Sequence, residues 1–282
     1  MDLPFSIDLS GRTVVITGAG GVLCGEFSRA LAACGARVAM LDLNEEAVQR
    51  AAADINRQGY CAKAYQADVL DRAVLERVHQ QVLADFGPCD ILINGAGGNH
   101  PRATTTQEIY EPDQIDQDTV TFFDLDPAGI SFVFNLNFLG TLLPIQVFAS
   151  EMANREGACI LNISSMNAFR PLTKIPAYSA AKAAVSNLTQ WLSVHFAATG
   201  IRVNAMAPGF FVTQQNRDLL FDQEGQPTAR AAKIIRGTPM GRFGDEKELI
   251  GSLLFLVSPQ AASFITGVVL PIDGGFSAYS GV

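Results

Sequence analysis

Short hydrophobic runs alternate with longer amphipathic stretches along this chain. Runs rich in β-branched and other apolar residues predict strands at 13–17, 37–41, 60–66, 90–94, 159–163, 202–205 and 267–272. Helical periodicity that ends at glycine predicts helices at 21–34, 45–58 and 71–86. Strand–helix alternation with short turns is typical of βαβ units. It therefore predicts one α/β domain over residues 1–282, a doubly wound parallel sheet with helices on both faces.

Two irregular stretches interrupt this alternation. Residues 98–126 are polar and acidic, with Arg102 as their one basic residue, and residues 210–236 are rich in amides. Loops of this length in a compact domain are usually functional, and both follow predicted strand ends, where open α/β sheets bind ligands. We therefore expect an acidic insertion at 98–126 and a substrate loop at 210–236.

Composition excludes several classes of partner. The net charge is −8 and basic residues do not cluster, so we expect neither nucleic-acid nor membrane binding. Five scattered cysteines, without paired spacing, indicate a reduced, cytoplasmic protein. The three histidines are far apart, and no metal site is expected. The uncharged stretches 127–150 and 249–272 contain prolines and amides, which favours buried elements of a soluble core over membrane spans.

A glycine-rich turn follows the first predicted strand and precedes a helix. Such a turn lets the backbone approach a pyrophosphate, which a helix N-terminus attracts. The cofactor-binding candidates in the turn are Gly18, Gly20, Gly21, Val22 and Leu23. Asp42 ends the second strand, where a carboxylate accepts both ribose hydroxyls and repels a 2′-phosphate, so NAD is favoured over NADP. The alternatives are a turn without a ligand and an acid that caps the next helix.

Tyr178 and Lys182 are the sharpest catalytic candidates. Pro176 begins a predicted helix, and residues four apart share one helix face. A nearby ammonium is expected to lower the tyrosine pKa, which makes the phenol a usable acid or base near neutral pH. Such a pair also arises by chance on helices.

The chain resembles the short-chain dehydrogenase/reductase family in three motifs. They are Tyr178-x-x-x-Lys182, Ser165 thirteen residues before the tyrosine, and Asn94-Gly95-Ala96-Gly97 after the fourth strand. The further matches are Asn137, Pro208-Gly209 followed by Thr213, and Asp273-Gly274-Gly275. They run from Thr13 to Gly275 in the family's order. The resemblance implies a Rossmann-type fold and an NAD(P)-dependent oxidoreductase acting on CH–OH groups.

The resemblance also implies a role for each matching residue. Tyr178 would be the general acid/base, Ser165 would bind the substrate oxygen, Lys182 would hold the nicotinamide ribose, and Asn137 would position a relay water. The remaining implied cofactor contacts are Asp68, Val69, Asn94, Ala96, Gly97, Pro208, Gly209 and Thr213. Family members commonly form homotetramers through the helices that carry Asn137 and Tyr178.

The chain departs from the family pattern in two places. Val22 and Cys24 stand where the second and third glycines of the turn are usual, and the stretch 97–137 is longer than in most members. The segments 18–24, 94–101, 164–171 and 209–216 resemble the D-mannonate oxidoreductases of this family. Those enzymes interconvert D-mannonate and D-fructuronate in hexuronate breakdown. The alternatives are a gluconate 5-dehydrogenase, another sugar or polyol dehydrogenase of the family, and a non-catalytic nucleotide-binding sensor.

A sugar-acid substrate needs hydroxyl partners and a cation for its carboxylate. The candidates for binding the substrate hydroxyls are the hydroxyl group of Ser165 and the side-chain amides of Asn99, Asn167, Gln215 and Asn216. Arg170 or His100 would supply the charge, and arginine suits a bidentate carboxylate contact. For Arg170 the alternative is a surface or subunit-interface salt bridge, and for His100 it is a loop histidine that donates a hydrogen bond to the backbone.

Overall fold

A computed structural model describes residues 7–212 and 217–281 of the chain. The strands are β1 (Thr13–Thr17), β2 (Arg37–Asp42), β3 (Cys61–Gln66), β4 (Ile91–Asn94), β5 (Cys159–Ile163), β6 (Arg202–Pro208) and β7 (Val269–Ile272). The helices are α1 (Val22–Ala33), α2 (Glu45–Arg57), α3 (Arg72–Phe86), α4 (Pro127–Phe134), α5 (Gly140–Met152), α6 (Pro176–His195), α7 (Arg217–Leu220), α8 (Ala229–Gly237) and α9 (Ile250–Val257). A π-helical turn, Asn135–Leu139, joins α4 to α5.

The strands form one parallel sheet in the order β3-β2-β1-β4-β5-β6-β7 within the described residues. Its register aligns the carboxyl ends of the central strands, because Thr17 pairs with Leu41 on one side and with Asn94 on the other. The chain changes direction across the sheet between β1 and β4, and a crevice forms at such a switch point. The predicted doubly wound α/β fold is confirmed.

Both faces of the sheet are buried, which explains why its strands read as continuous apolar runs. In β1, Val14 and Ile16 pack on one face with α1, α2 and α9, whereas Val15 packs on the other face with α3 and α5. Each fully buried side chain of this size contributes roughly 1.5–3 kcal/mol. The central strands therefore hold the residues that follow them in fixed positions.

Helix α1 begins differently from α2 and α3. Asn44 accepts a hydrogen bond from Ala47 N at the start of α2, and Asp71 accepts one from Val74 N at the start of α3. At α1 the N-cap is Gly21, and no side chain among the described residues caps its first N–H groups. These donors remain available at the switch point.

The segment Pro127–Met152 is long and apolar enough to cross a membrane by length and hydropathy alone. Half of its most apolar window is buried within the fold, and α5 packs against α3. The expectation that 127–150 is a buried core element is therefore right for α5 but wrong for one face of α4, where Phe132 is exposed. The stretch 249–272 contains the short helix α9 and strand β7.

The two irregular stretches contain mainly short helical turns. Residues 98–126 include the 3₁₀ turns Pro101–Ala103, Pro112–Gln114 and Phe122–Asp124. An ion pair of 2.9 Å between Arg102 and Asp126 joins the two ends of this stretch. Residues 210–236 include α7 and most of α8, and their positions 213–216 lie outside the described residues.

Candidate active site

The turns that follow β1 and β4 are in direct contact. Thr17 Oγ1 accepts hydrogen bonds from the backbone N–H groups of Gly95 at 3.1 Å and Ala96 at 3.2 Å. Gly18 has φ 69°, and a Cβ at this position would lie 2.9 Å from Ala96 N. The close approach requires glycine at position 18, and it brings the predicted cofactor residues of both turns together.

Cys24 occupies the place of a family glycine without blocking the turn. Its side chain is buried, and its Sγ fills the space that a Cβ on Gly95 would need. Burial raises the pKa of the Cys24 thiol to about 12, so the thiol is neutral at physiological pH. The departure at position 24 is thus matched by the missing side chain at Gly95.

Three features of the switch point fit a dinucleotide. Asp42 Oδ2 accepts a hydrogen bond from Gly20 N at 2.9 Å and its Oδ1 accepts one from Asn44 N at 2.8 Å, so the carboxylate is held at the end of β2. Asn94 donates to Asn162 Oδ1 at 2.9 Å, while Asn94 Oδ1 is buried without a partner among the described residues. Together with the uncapped start of α1, these groups suit ribose hydroxyls, a polar ligand atom and a pyrophosphate.

The other predicted cofactor residues lie around the same crevice. Val22 and Leu23 form the first turn of α1, and Asp68 Oδ1 accepts a hydrogen bond from Leu70 N. Val69 is buried beside Gly140, where a Cβ would lie 2.9 Å from its Cγ2. Pro208 ends β6, and Gly209 N donates to Ile272 O at 2.9 Å. Thr213 lies outside the described residues.

A cleft of about 910 Å³ opens beside the glycine turn. Gly20, Gly21 and Val22 line one side of it, and Val212, Arg217 and Phe243 line another. Ser165, Tyr178 and Lys182 are not among its lining residues, so the cleft belongs to the glycine-turn end of the crevice.

Asn137 and Lys182 lie together above the segment that follows β4. Asn137 Nδ2 donates to Gly98 O at 2.7 Å and to Val133 O at 2.8 Å, and Asn137 Oδ1 accepts from Gly98 N at 3.2 Å. A Cβ on Gly97 would lie 2.6 Å from Asn137 Oδ1 and 3.1 Å from Lys182 Nζ. Glycine at position 97 therefore allows both side chains to approach this segment. The π-helical turn that carries Asn137 is a feature found frequently at functional sites.

Burial dominates the electrostatics of the Tyr178–Lys182 pair. Lys182 Nζ donates to Ile163 O at 2.8 Å and lies 5.6 Å from the centroid of the Tyr178 ring. Desolvation lowers the pKa of Lys182 to about 8. Burial also raises the pKa of Tyr178 above its usual value, and a hydrogen bond with the Ser165 side chain partly opposes this. The expectation that Lys182 lowers the Tyr178 pKa is therefore wrong, because desolvation of the phenol outweighs a charge that is directed at a carbonyl.

Ser165 and Asn167 lie side by side in the loop after β5. Both are buried, and Ser165 Oγ accepts a hydrogen bond from Asn167 N at 3.2 Å. Asn167 Oδ1 has no partner among the described residues, although it is buried. It is thus an acceptor available to a hydroxyl group. The preceding Ser164 anchors this loop to α6, since its Oγ lies 2.7 Å from Ser186 Oγ.

The remaining predicted substrate contacts already bond within the chain. Asn99 Nδ2 donates to Thr104 Oγ1 at 2.9 Å. His100 Nδ1 accepts from Arg102 N at 3.2 Å, so His100 is bonded to the loop backbone as in the alternative, but as an acceptor rather than as a donor. Arg170 is exposed and donates to the carbonyl of Tyr279 in the C-terminal tail. Gln215 and Asn216 lie outside the described residues.

Lys174 is a residue of this loop that the sequence analysis did not single out. Lys174, between Ser165 and Tyr178, has the positive φ of 72° and accepts a backbone hydrogen bond from Thr105 N at 2.9 Å. Residues 164–175, between β5 and α6, are called the catalytic loop because they carry the candidate Ser165 and lead to Tyr178. The charge of Lys174 within this loop was a signal that could have been read from the sequence. Phe276 packs edge-on against Phe210 at 5.3 Å between ring centroids, a contact between distant segments that leaves no sequence signal.

Comparison with known proteins agrees with this geometry. The family model for short chain dehydrogenases matches residues 12–224. An uncharacterised oxidoreductase of Bacillus subtilis, UxuB, is 51% identical over 99% of this chain and 100% of its own length. The gluconate 5-dehydrogenase of Gluconobacter oxydans is 32% identical over 98% of this chain and 99% of its own length.

A solved structure is also similar along the full length of the chain. It is that of a Haemophilus influenzae protein, proposed to be a D-mannonate oxidoreductase, with bound NAD. It is 58% identical and covers 100% of both chains with a TM-score of 0.96. Family model, relatives and fold agree, and the chain is therefore an oxidoreductase of the short-chain dehydrogenase/reductase family that acts on CH–OH groups.

Proposed function

We propose that this enzyme interconverts D-mannonate and D-fructuronate with NAD as its cofactor, in the cytoplasm and in hexuronate metabolism. The observation that carries the proposal is the similarity to the Haemophilus influenzae protein, at 58% identity over the full length of both chains. The buried acceptor on Asn167, beside Ser165, adds support because a sugar acid presents several hydroxyl donors to its site.

The residues around the switch point would hold NAD, which supplies the hydride acceptor or donor when bound. The first N–H groups of α1 would bind the pyrophosphate, and the Asp42 carboxylate would accept the ribose hydroxyls and disfavour NADP. The proposed contacts in full are Gly18, Gly20, Gly21, Val22, Leu23, Asp42, Asp68, Val69, Asn94, Ala96, Gly97, Tyr178, Lys182, Pro208, Gly209 and Thr213.

Tyr178 would be the general acid/base. Its raised pKa keeps the phenol protonated at neutral pH, which suits proton donation to the ketone oxygen during reduction. Ser165 would hydrogen-bond the same oxygen, and Lys182 would hold the nicotinamide ribose. Both amide N–H groups of Asn137 are engaged, which leaves its Oδ1 as the side-chain atom with capacity for a relay water.

Substrate hydroxyls would bind Ser165 and Asn167, and Asn99, His100, Arg170 and Asn216 stay predicted contacts. A gluconate 5-dehydrogenase activity is the second candidate, favoured by the 32% identical relative from Gluconobacter oxydans. Both reactions reduce a ketone on a sugar acid, so the two candidates differ in the substrate and product rather than in the chemistry of Tyr178.

We also propose a homotetramer that forms through the helices carrying Asn137 and Tyr178. Several large apolar side chains on α4 and α6 are exposed in the single chain, among them Phe132, Trp191 and Val194. Such side chains favour a protein interface. Sedimentation equilibrium at micromolar concentration should give four times the chain mass of 30.1 kDa, and a stable monomer would contradict the assembly.

The experiment for the activity is product identification. The purified protein should convert D-fructuronate and NADH to D-mannonate, separated chromatographically from its C5 epimer. The Tyr178→Phe variant should lose turnover but still bind NADH, which a change in NADH fluorescence on binding would detect. Formation of the epimer, or full turnover by the variant, would contradict the proposed product or the proposed acid.

A further inference from the structure

Three basic side chains gather around one carboxylate at the junction of the catalytic loop, the insertion and α8. Lys233 of α8 forms an ion pair with Glu108 of the insertion. Lys174 of the catalytic loop and Arg230 of α8 also act electrostatically on Glu108, and together these cations lower the pKa of that carboxyl. Three cations around one carboxylate form a local excess of positive charge, in contrast to the net charge of −8 of the whole chain.

Lys174 is held in an unfavourable backbone conformation. It is one of two non-glycine residues with positive φ among those that the structure describes, the other being Asn154. The left-handed region disfavours lysine because its Cβ approaches the following carbonyl oxygen. A hydrogen bond of 2.9 Å from Thr105 N to Lys174 O fixes this backbone to the insertion. Strain that surroundings maintain next to catalytic residues is characteristic of functional positions.

The two cations of the catalytic loop differ in their partners. Arg170 donates to the Tyr279 carbonyl and is exposed. Lys174 is half-buried, and among the described residues its ammonium forms no hydrogen bond or ion pair, although it acts on the Glu108 carboxylate over a longer distance. A half-buried cation that makes no direct contact is a natural binding group for an anion. The ion pair between Glu108 and Lys233 shows that one neighbouring cation, Lys233, binds a carboxylate.

We propose that Lys174 binds the carboxylate of the acid substrate, and that Arg230 and Lys233 form a cationic entrance around it. The inference rests on the proposed function, in that it assumes a keto-acid substrate. It makes Lys174 a specificity-determining residue, since an uncharged ketose gains nothing from this contact. The insertion then serves the active site by holding the Lys174 backbone through Thr105.

The test compares acid and neutral substrates in matched variants. For Lys174→Met we expect the KM for keto acids such as D-fructuronate and 5-keto-D-gluconate to rise about tenfold or more, as for loss of one charge-assisted contact. The KM for an uncharged ketose and for NADH should not change. Lys174→Arg should retain most of the affinity. Lys247→Met is the control, because it removes an exposed lysine on the 3₁₀ turn Glu246–Leu249, which packs against α1 and α9.

Lys174→Gly gives a second neutral variant that relieves the left-handed strain, so we expect it to fold even if Lys174→Met does not. It should show the same selective rise in KM. Salt should weaken keto-acid binding in the wild type more than in either neutral variant. An equal loss on neutral and acid substrates, or no loss on acids, would overturn the role of Lys174.

The proposal and the proposed function fail in different ways. If the wild type reduces another keto acid but not D-fructuronate, the proposed function is wrong, and the same comparison on that acid still decides the role of Lys174. If the wild type reduces neutral ketoses only, both are wrong.

Discussion

Cys24 Sγ lies in the space that a Cβ on Gly95 would occupy. The two residues come from different turns, one at the start of α1 and the other after β4, and these turns meet at the switch point of the sheet. The cysteine therefore replaces a family glycine at no cost to the crevice only because position 95 has no side chain. This relationship makes the two positions dependent on each other.

Gly95→Ala should destabilise the protein by about 1–3 kcal/mol, because an added methyl group overpacks a filled space. The double variant Cys24→Gly/Gly95→Ala should recover most of that loss, since removal of the thiol makes room for the methyl group. Urea unfolding of the wild type, both single variants and the double variant measures the coupling. Additive free energies would mean that the two side chains do not compete for space.

Asp42→Ala should weaken NADH binding about tenfold and improve the use of NADPH. The carboxylate is proposed to accept the ribose hydroxyls, and its hydrogen bond with Gly20 N keeps it at the glycine turn. Steady-state kinetics with both cofactors measures the change in preference. Asp54→Ala is the control, because Asp54 lines the same cleft but pairs with Arg57. If the ratio of kcat/KM with NADH to kcat/KM with NADPH is the same in Asp42→Ala as in the wild type, Asp42 does not select the cofactor.

Stability should depend on pH through Lys182. Its pKa is lowered to about 8 in the folded chain, from 10.5 without burial. Between these values the unfolded chain holds a proton that the folded chain has released, so stability rises with pH across this window. Relative to Lys182→Met, the wild type should gain about 2 kcal/mol between pH 7.5 and pH 10. Denaturant unfolding of both proteins at both pH values measures this gain in stability. A loss of wild-type stability relative to the variant between pH 7.5 and pH 10 would contradict the lowered pKa of Lys182.

Asn167→Ala should separate substrate binding from stability. The buried Oδ1 of Asn167 lacks a partner among the described residues, so its removal relieves a desolvated acceptor and should leave the free energy of unfolding within about 0.5 kcal/mol of the wild type. The KM for the sugar acid should rise about tenfold, while NADH binding stays the same. A large loss of stability with unchanged KM would instead make Asn167 a structural residue of the loop.

The sheet and the positions of the candidate catalytic residues could be predicted because their signals are local. The apolar runs of β1 and β5 and the helix start at Pro176 each lie within a few adjacent residues, and the structure has strands and a helix at those places. The fit of Cys24 to Gly95 and the bond from Thr105 to Lys174 join distant segments. Such contacts depend on the packing of the whole sheet, so no local sequence pattern predicts them.

The error on the Tyr178 pKa has a similar physical origin. Sequence spacing correctly places Lys182 one helical turn from Tyr178, but it does not show how deeply both groups are buried or that the ammonium is directed at Ile163 O. Burial sets the sign of the shift. The bond from Arg170 to the Tyr279 carbonyl was beyond prediction, because it joins distant segments of the chain. For His100, a bond to the loop backbone was one of the two interpretations that the sequence left open.

The most direct measurement is the rate of NADH oxidation, followed by absorbance, with D-fructuronate, 5-keto-D-gluconate and an uncharged ketose, each repeated with NADPH. The account predicts that D-fructuronate with NADH has the highest kcat/KM of the panel, and that NADPH is a poor substitute. A higher kcat/KM for 5-keto-D-gluconate would favour the gluconate 5-dehydrogenase function. Bound NADH without oxidation by any of the three ketones would contradict the proposed reaction.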